Sequence, residues 1–219
     1  MQINGYTRIC GLMGNPVEHT MSPAIHNTLA EGFHENLVYV PFKVPEGGVG
    51  DAVRGAYALN LLGMNVTVPY KSQVIPYLED LDPLARLIGA VNTLVRTETG
   101  FTGYNTDMPG LYRAMCEDGV QIEGARVLIV GAGGVARAVA ILAASKAAAE
   151  LVIANRTLDK AEKIAEEVNG IVGRGLARAM PLEACGRLPK KDYIAIQATN
   201  DGGSACGRRL LLPENTSGV

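Results

Sequence analysis

The residues best suited to chemistry form two groups. Gly131-Ala132-Gly133-Gly134-Val135-Ala136 has glycines at the spacing of a phosphate-cradling turn. Gly131 permits a tight turn, Gly133 lets a pyrophosphate approach the backbone, and the small Ala136 lets a following helix pack closely on its strand. Free N–H groups and positive potential at that helix start suit the phosphates. Further on, where an NAD site usually places an acidic residue, the chain reads Asn155-Arg156-Thr157. The Arg156 fork can engage a 2′-phosphate and Thr157 can add a hydroxyl, so NADP is expected over NAD. The alternative is that Thr157 caps a helix beside a solvated Arg156. The second group is Asn65-Val66-Thr67-Val68-Pro69-Tyr70-Lys71, a β-branched strand stopped by Pro69 with a lysine just beyond it. If Ser72 caps a helix over Gln73–Leu78, Lys71 lies beside a helix N-terminus, a poor place for a merely solvating cation.

Around these groups the elements alternate. Arg8–Met13 and Leu37–Val44 read as strands, and a helix begins at Ser22-Pro23 with the serine as cap. Ile25, Leu29 and Phe33 share one face of that helix. Asp51–Leu62 reads as a second helix, and Ala90–Arg96 pairs with Phe101–Tyr104 across Glu98-Thr99-Gly100. A helix from about Met108 to Glu117 precedes the strand Val127–Val130 and the glycine turn. Val135, Val139 and Leu142 mark the apolar face of the next helix, and Leu151–Ala154 is the following strand. The expected class is α/β with largely parallel sheets, divided into domains 1–106 and 107–219.

Composition excludes several functions. The 219 residues are 47% hydrophobic and 19% charged, with a net charge of −2. That balance argues against nucleic-acid or membrane partners. No signal peptide or membrane span is evident, since the most apolar window, Val127–Ala144, contains Arg137 and the glycine cluster. Cys10, Cys116, Cys185 and Cys206 lack metal-ligand spacing and read as reduced thiols of a cytoplasmic protein. His19 and His26 have no partners at ligand spacing, so no metal is expected.

Six segments in order resemble the shikimate dehydrogenase family. They are Gly14-Asn15-Pro16-Val17-Glu18-His19-Thr20-Met21-Ser22-Pro23-Ala24-Ile25-His26-Asn27, Asn65–Lys71, Ala90-Val91-Asn92-Thr93, Gly103-Tyr104-Asn105-Thr106-Asp107, Gly131–Ala136 and Asn155-Arg156-Thr157. The resemblance implies an α/β substrate domain followed by a Rossmann-type NADP-binding domain. It implies reversible, NADP-dependent reduction of 3-dehydroshikimate to shikimate, in the route to chorismate and the aromatic amino acids. Lys71 and Asp107 match the family's catalytic pair, the lysine moving a proton at the reacting oxygen and the carboxylate fixing its position. Thr20 and Ser22 match the substrate-carboxylate hydroxyls, and Asn65, Thr67 and Asn92 the groups at the substrate hydroxyls. Asn105 reads as a structural turn residue. Gly131, Ala132, Gly133, Gly134, Val135, Ala136, Asn155, Arg156, Thr157 and Thr199 form the implied cofactor set.

The resemblance ends near Thr199, after a strand expected over Asp192–Thr199. The chain is therefore expected to be truncated relative to the family pattern, with weak activity a consequence. Two rivals follow: a quinate/shikimate dehydrogenase, and a catalytically silent ligand-binding relative. A monomer or homodimer is expected.

Overall fold

The structure is a computed structural model, and it describes residues 3–189 and 193–199. The chain divides into two compact units, Met1–Asp107 and Met108–Val219.

The first unit runs β1 (Arg8–Gly14), α1 (Ser22–Gly32), β2 (Leu37–Lys43), α2 (Val49–Ala58), β3 (Gly63–Val66), β4 (Asp80–Leu81), α3 (Pro83–Ile88), β5 (Thr93–Arg96) and β6 (Phe101–Tyr104). Its strands form one sheet in the order β2-β1-β3-β5-β6-β4. β1 is parallel to both β2 and β3, whereas β5 runs antiparallel to β3 and to β6. The sheet is thus mixed, because the expected hairpin returns the chain without a crossover helix. On one side Met64 and Val66 of β3 enter a core with Met13, Leu94, Phe101 and Val53 of α2. The alternate residue, Asn65, points to the other side, as the strand period of two requires.

Three local expectations fail here. Ser22 does not cap α1: it is already the first helical residue, the cap position belongs to Met21, and no side chain bonds there. The face that Ile25, Leu29 and Phe33 share is on the outside, the three being 55%, 49% and 73% exposed. An i, i+4 stripe defines a face without saying which face docks, and α1 docks through Ala30 and Asn27 instead. The helix expected over Gln73–Leu78 is replaced by turns and a short 3-10 segment at Ile75–Tyr77. Pro76 supplies the reason, since it has no N–H and its ring opposes the carbonyl four residues back. α2 also ends earlier than expected, with Asn60 in a left-handed conformation at φ 60°.

The second unit begins with α4 (Asp107–Glu117), whose first residue closes the first unit. It continues through β7 (Arg126–Val130), α5 (Gly134–Ser145), β8 (Glu150–Asn155), α6 (Leu158–Val172), β9 (Ala177–Pro181) and β10 (Tyr193–Gln197). The four strands are all parallel, in the order β10-β7-β8-β9. That is the opening half of a dinucleotide-binding fold, with the order reversing beside β7. Ile129, Leu151, Ile153 and most of α5 are buried, as strands covered on both faces require. Val139 and Leu142 are in that core, but Val135 is exposed at the first turn of α5. Glu150 ties β8 to the three other strands at the end of the sheet away from the glycine turn. It accepts from Arg126 Nε at 2.7 Å, Arg178 Nε at 2.9 Å and the Tyr193 hydroxyl at 3.0 Å. Burial works to raise its pKa, but these three donors outweigh it and hold the carboxyl below its ordinary range.

Candidate active site

In the first unit the polar groups gather where β1 and β3 end. These strands are parallel neighbours, so the loops after both leave from the same edge of the sheet. Asn15 N donates to Val68 O at 3.0 Å and joins the two loops. Close packing reinforces the joint: a Cβ on Gly14 would lie 2.4 Å from Thr67 Cγ2.

Lys71 is carried by a turn rather than by a helix start. Tyr70 N bonds to Thr67 O and Val74 N to Tyr70 O, while the Lys71 carbonyl accepts from Val91 N at 2.7 Å. Tyr70 and Val74 are buried, and the Tyr70 hydroxyl donates to Val44 O at 2.8 Å. Residues on both sides of the lysine are therefore anchored. Its Nζ lies 2.7 Å from Asp107 Oδ2, with the two side chains 33% and 42% exposed.

Two asparagines set the carboxylate. Asn92 is buried and donates from Nδ2 to Asp107 Oδ1 and to Thr106 Oγ1, both at 2.9 Å. Its Oδ1 accepts from Thr106 N at 2.9 Å. Both N–H groups of Asn92 are thus engaged inside the protein, and in this geometry it holds Asp107 rather than offering a free donor to a ligand. Asn105 accepts from Asp107 N at 3.1 Å and donates to Ala90 O at 3.0 Å, a side-chain turn that starts α4.

Asn65 extends the same network. Its Nδ2 reaches Asn92 O and Thr93 Oγ1, each at 3.3 Å, and its Oδ1 accepts from the Tyr39 hydroxyl at 2.8 Å. Lys71, Asp107, Asn92, Asn65 and Tyr39 are hence linked by consecutive contacts. Thr67 is half-buried beside Gly14. Thr20 and Ser22 pair with each other: the Thr20 hydroxyl donates to Ser22 Oγ at 3.1 Å and accepts from Ser22 N at 3.2 Å. Glu18, two residues earlier, is held down to about 2 chiefly by its hydrogen bond from Lys43, so its charge is neutralised beside these hydroxyls.

Tyr39 was not foreseeable as part of this group, because it reads as one more inward residue of an apolar strand. His26 stacks on its ring at 4.3 Å with an interplanar angle of 13°. Burial pushes its phenol up to about 12; Cys10 adds to that and the Ser22 hydroxyl opposes it.

In the second unit, Gly131 has φ 119°, and a Cβ there would lie 2.5 Å from Ala198 O. No other residue fits without moving the backbone. Beside Gly133 and Gly134 a Cβ would meet only open space, and Ala136 is buried against the sheet. Ala132 and exposed Val135 complete the turn into α5. Beyond β8, Asn155 Nδ2 donates to Thr157 O at 2.9 Å. Thr157 occupies the cap position of α6, yet its hydroxyl makes no capping bond. Arg156 is exposed, and no ion pair engages it among the described residues. Thr199 follows β10 and its hydroxyl accepts from Gln197 Nε2 at 3.2 Å. Asp192, expected to open that strand, lies outside the described residues, as does Cys206. Cys10, Cys116 and Cys185 are free thiols.

Residues 12–94 match the model of the shikimate dehydrogenase substrate binding domain, and residues 114–201 match that of shikimate / quinate 5-dehydrogenase. The NADP(+)-dependent shikimate dehydrogenase of Pyrococcus furiosus is 44% identical over 213 residues, covering 97% of this chain and 73% of that protein. The chain belongs to the shikimate dehydrogenase family. The Carboxydothermus hydrogenoformans enzyme of the same name is 45% identical over 171 residues, 78% of this chain. This match spans 61% of that curated relative's length. Among solved structures, the Listeria monocytogenes shikimate 5-dehydrogenase, in complex with shikimate and NAD, superposes with a TM-score of 0.84. It is 36% identical, covering 91% of this chain and 71% of that one. No helix among the described residues is long and apolar enough to cross a membrane.

Proposed function

We propose that the chain works as an NADP-dependent shikimate dehydrogenase, reducing 3-dehydroshikimate reversibly to shikimate. The observation that carries this reading is the Lys71–Asp107 pair, set by Asn92 at the edge where β1 and β3 end. Family membership gives that pair its chemical meaning.

The residues fit each part of the reaction. Thr20 and Ser22 present two adjacent hydroxyls suited to the substrate carboxylate, with Glu18 already neutralised by Lys43. Asn65 and Thr67 supply an amide and a hydroxyl at the ring hydroxyls. Lys71 Nζ gives a proton to the oxygen formed on reduction and takes it back on oxidation, a role typically worth ~10²–10⁴ in rate. Asp107 holds the ammonium in place, and Asn92 holds Asp107.

Bound in this unit, NADPH would supply the hydride for reduction and NADP+ would accept it in the oxidative direction. The open space beside Gly133 and Gly134 suits its pyrophosphate, and the forced glycine at 131 fixes the turn. Exposed Arg156 and the uncapping Thr157 hydroxyl are free to meet a 2′-phosphate, and no carboxylate stands at Asn155–Thr157 to prefer a ribose hydroxyl. Initial rates with shikimate and with quinate, each with NADP+ and NAD+, test the reading. Shikimate with NADP+ is expected to give the highest kcat/KM. Turnover with none of the four pairs, in a protein that is folded, would refute it.

A further inference from the structure

We propose that Tyr39 is a positioning residue for the substrate and acts through Asn65. This inference rests on the function proposed above and adds a residue to its binding site. The Tyr39 hydroxyl donates to Asn65 Oδ1 at 2.8 Å. The Asn92 carbonyl can only accept, so it takes the Nδ2 end of the amide, and the Tyr39 hydroxyl, donating to the Oδ1 end, holds the amide in that orientation. Asn65 Nδ2 is then the end left to meet a ligand. Its own contacts, to Asn92 O and Thr93 Oγ1, are both 3.3 Å and sit at the long limit for N–H···O bonds. A substrate hydroxyl can compete with bonds of that length.

The phenol is held as a positioning group should be. Tyr39 is 3% exposed. Asn27 of α1 clamps its backbone at both groups, donating to Tyr39 O at 3.0 Å and accepting from Tyr39 N at 2.8 Å. His26 of the same helix stacks on the ring. Ser22, the first residue of that helix, faces the phenol as well. α1 thereby couples the hydroxyl pair at its start to the amide on β3 through one buried ring. Tyr39 and Asn65 both border a cavity of about 680 Å³ that runs along β3 and β5 as far as Glu98; Lys71 and Asp107 are not among the residues that line it.

The test compares Tyr39→Phe, Asn65→Ala and the double variant of the 219-residue protein. Calorimetry reads shikimate binding without turnover, and initial rates read kcat and KM. Tyr39→Phe is expected to raise both the Kd and the KM for shikimate about tenfold, equivalent to about 1.4 kcal/mol. The KM for NADP+ and kcat should stay within about twofold. If Tyr39 acts through Asn65, the double variant binds no more weakly than Asn65→Ala alone. An unchanged Kd in Tyr39→Phe, or additive losses in the double variant, overturns the proposal. A wild-type protein that binds no shikimate overturns the functional reading and this inference with it. Tyr39→Phe keeps the ring and its stack on His26, and a melting curve verifies its fold. Should it unfold, the side-chain amide resonances of Asn65 in the wild-type protein decide: shikimate must shift them, and unmoved resonances overturn the role.

Discussion

Lys71→Ala separates the lysine's part in chemistry from its part in the fold. Its ion pair with Asp107 is short, 2.7 Å, but the two side chains are 33% and 42% exposed. Pairs in that setting contribute ~0–1 kcal/mol to stability. Asp107 also keeps its bond from Asn92 when the lysine is gone, so no buried group is orphaned. For a chain of this size ~1 kcal/mol moves the melting point by about 2–4 °C. The expected loss in kcat is about 10²–10⁴, or ~2.7–5.5 kcal/mol of barrier, several times the effect on folding. Lys71→Arg sharpens the contrast. Arginine restores the cation opposite Asp107 yet does not release a proton near neutral pH, so kcat should fall comparably while the melting point stays at the wild-type value. The assay is NADPH formation from shikimate, with melting curves on the same samples. Either variant turning over within about threefold of wild type would refute the proton-transfer role. A drop in activity matched by a collapse in melting point would show that the lysine acts on the fold.

Three further substitutions probe other parts of the reasoning. Asn92→Ala removes a buried amide that bonds Thr106 and Asp107, so urea unfolding should show a loss of about 2–3 kcal/mol together with reduced kcat. Arg156→Ser should raise the KM for NADP+ about 10–100-fold and leave the KM for NAD+ nearly unchanged, as initial rates would show. Glu150 has a folded pKa below its ordinary 4.5, so the native state binds fewer protons than the unfolded chain in acid. Its contribution is present above about 4.5 and is lost as pH falls through the depressed value. Urea midpoints between pH 6 and pH 3 should therefore fall less steeply in Glu150→Gln than in wild type.

Legibility in the sequence followed from how local each constraint is. Gly131 and the strands around it were readable because a left-handed glycine between an apolar strand and a small-residue helix is a short-range requirement. The hairpin across Glu98-Thr99-Gly100 was readable for the same reason. Which face of α1 docks was not legible, because helical spacing fixes a face while the docking is decided by Asn27 and the backbone of Tyr39, twelve residues on. Tyr39 itself carried no signal, since its role depends on the orientation of Asn65, a residue of a different strand. The turn after Pro69 was legible in principle: Pro76 already forbade the helix.

The loss of that helix changes the reason for the lysine's position without removing it. A helix N-terminus would have set Lys71 by repulsion, leaving the side chain to find its partner. The observed turn fixes it by attachment: Tyr70 and Val74 are buried on either side, and Val91 N holds the Lys71 carbonyl. That last bond comes from the residue before Asn92, whose amide sets Asp107. One short segment, Val91-Asn92, therefore locates the backbone of the proton donor and the carboxylate that orients it. The spacing of the pair is fixed by covalent geometry in the middle and by two hydrogen bonds at its ends, and neither requires the ion pair itself. This explains why a partly exposed pair can be held at 2.7 Å: its geometry comes from buried neighbours, while its two charged ends remain open to a ligand.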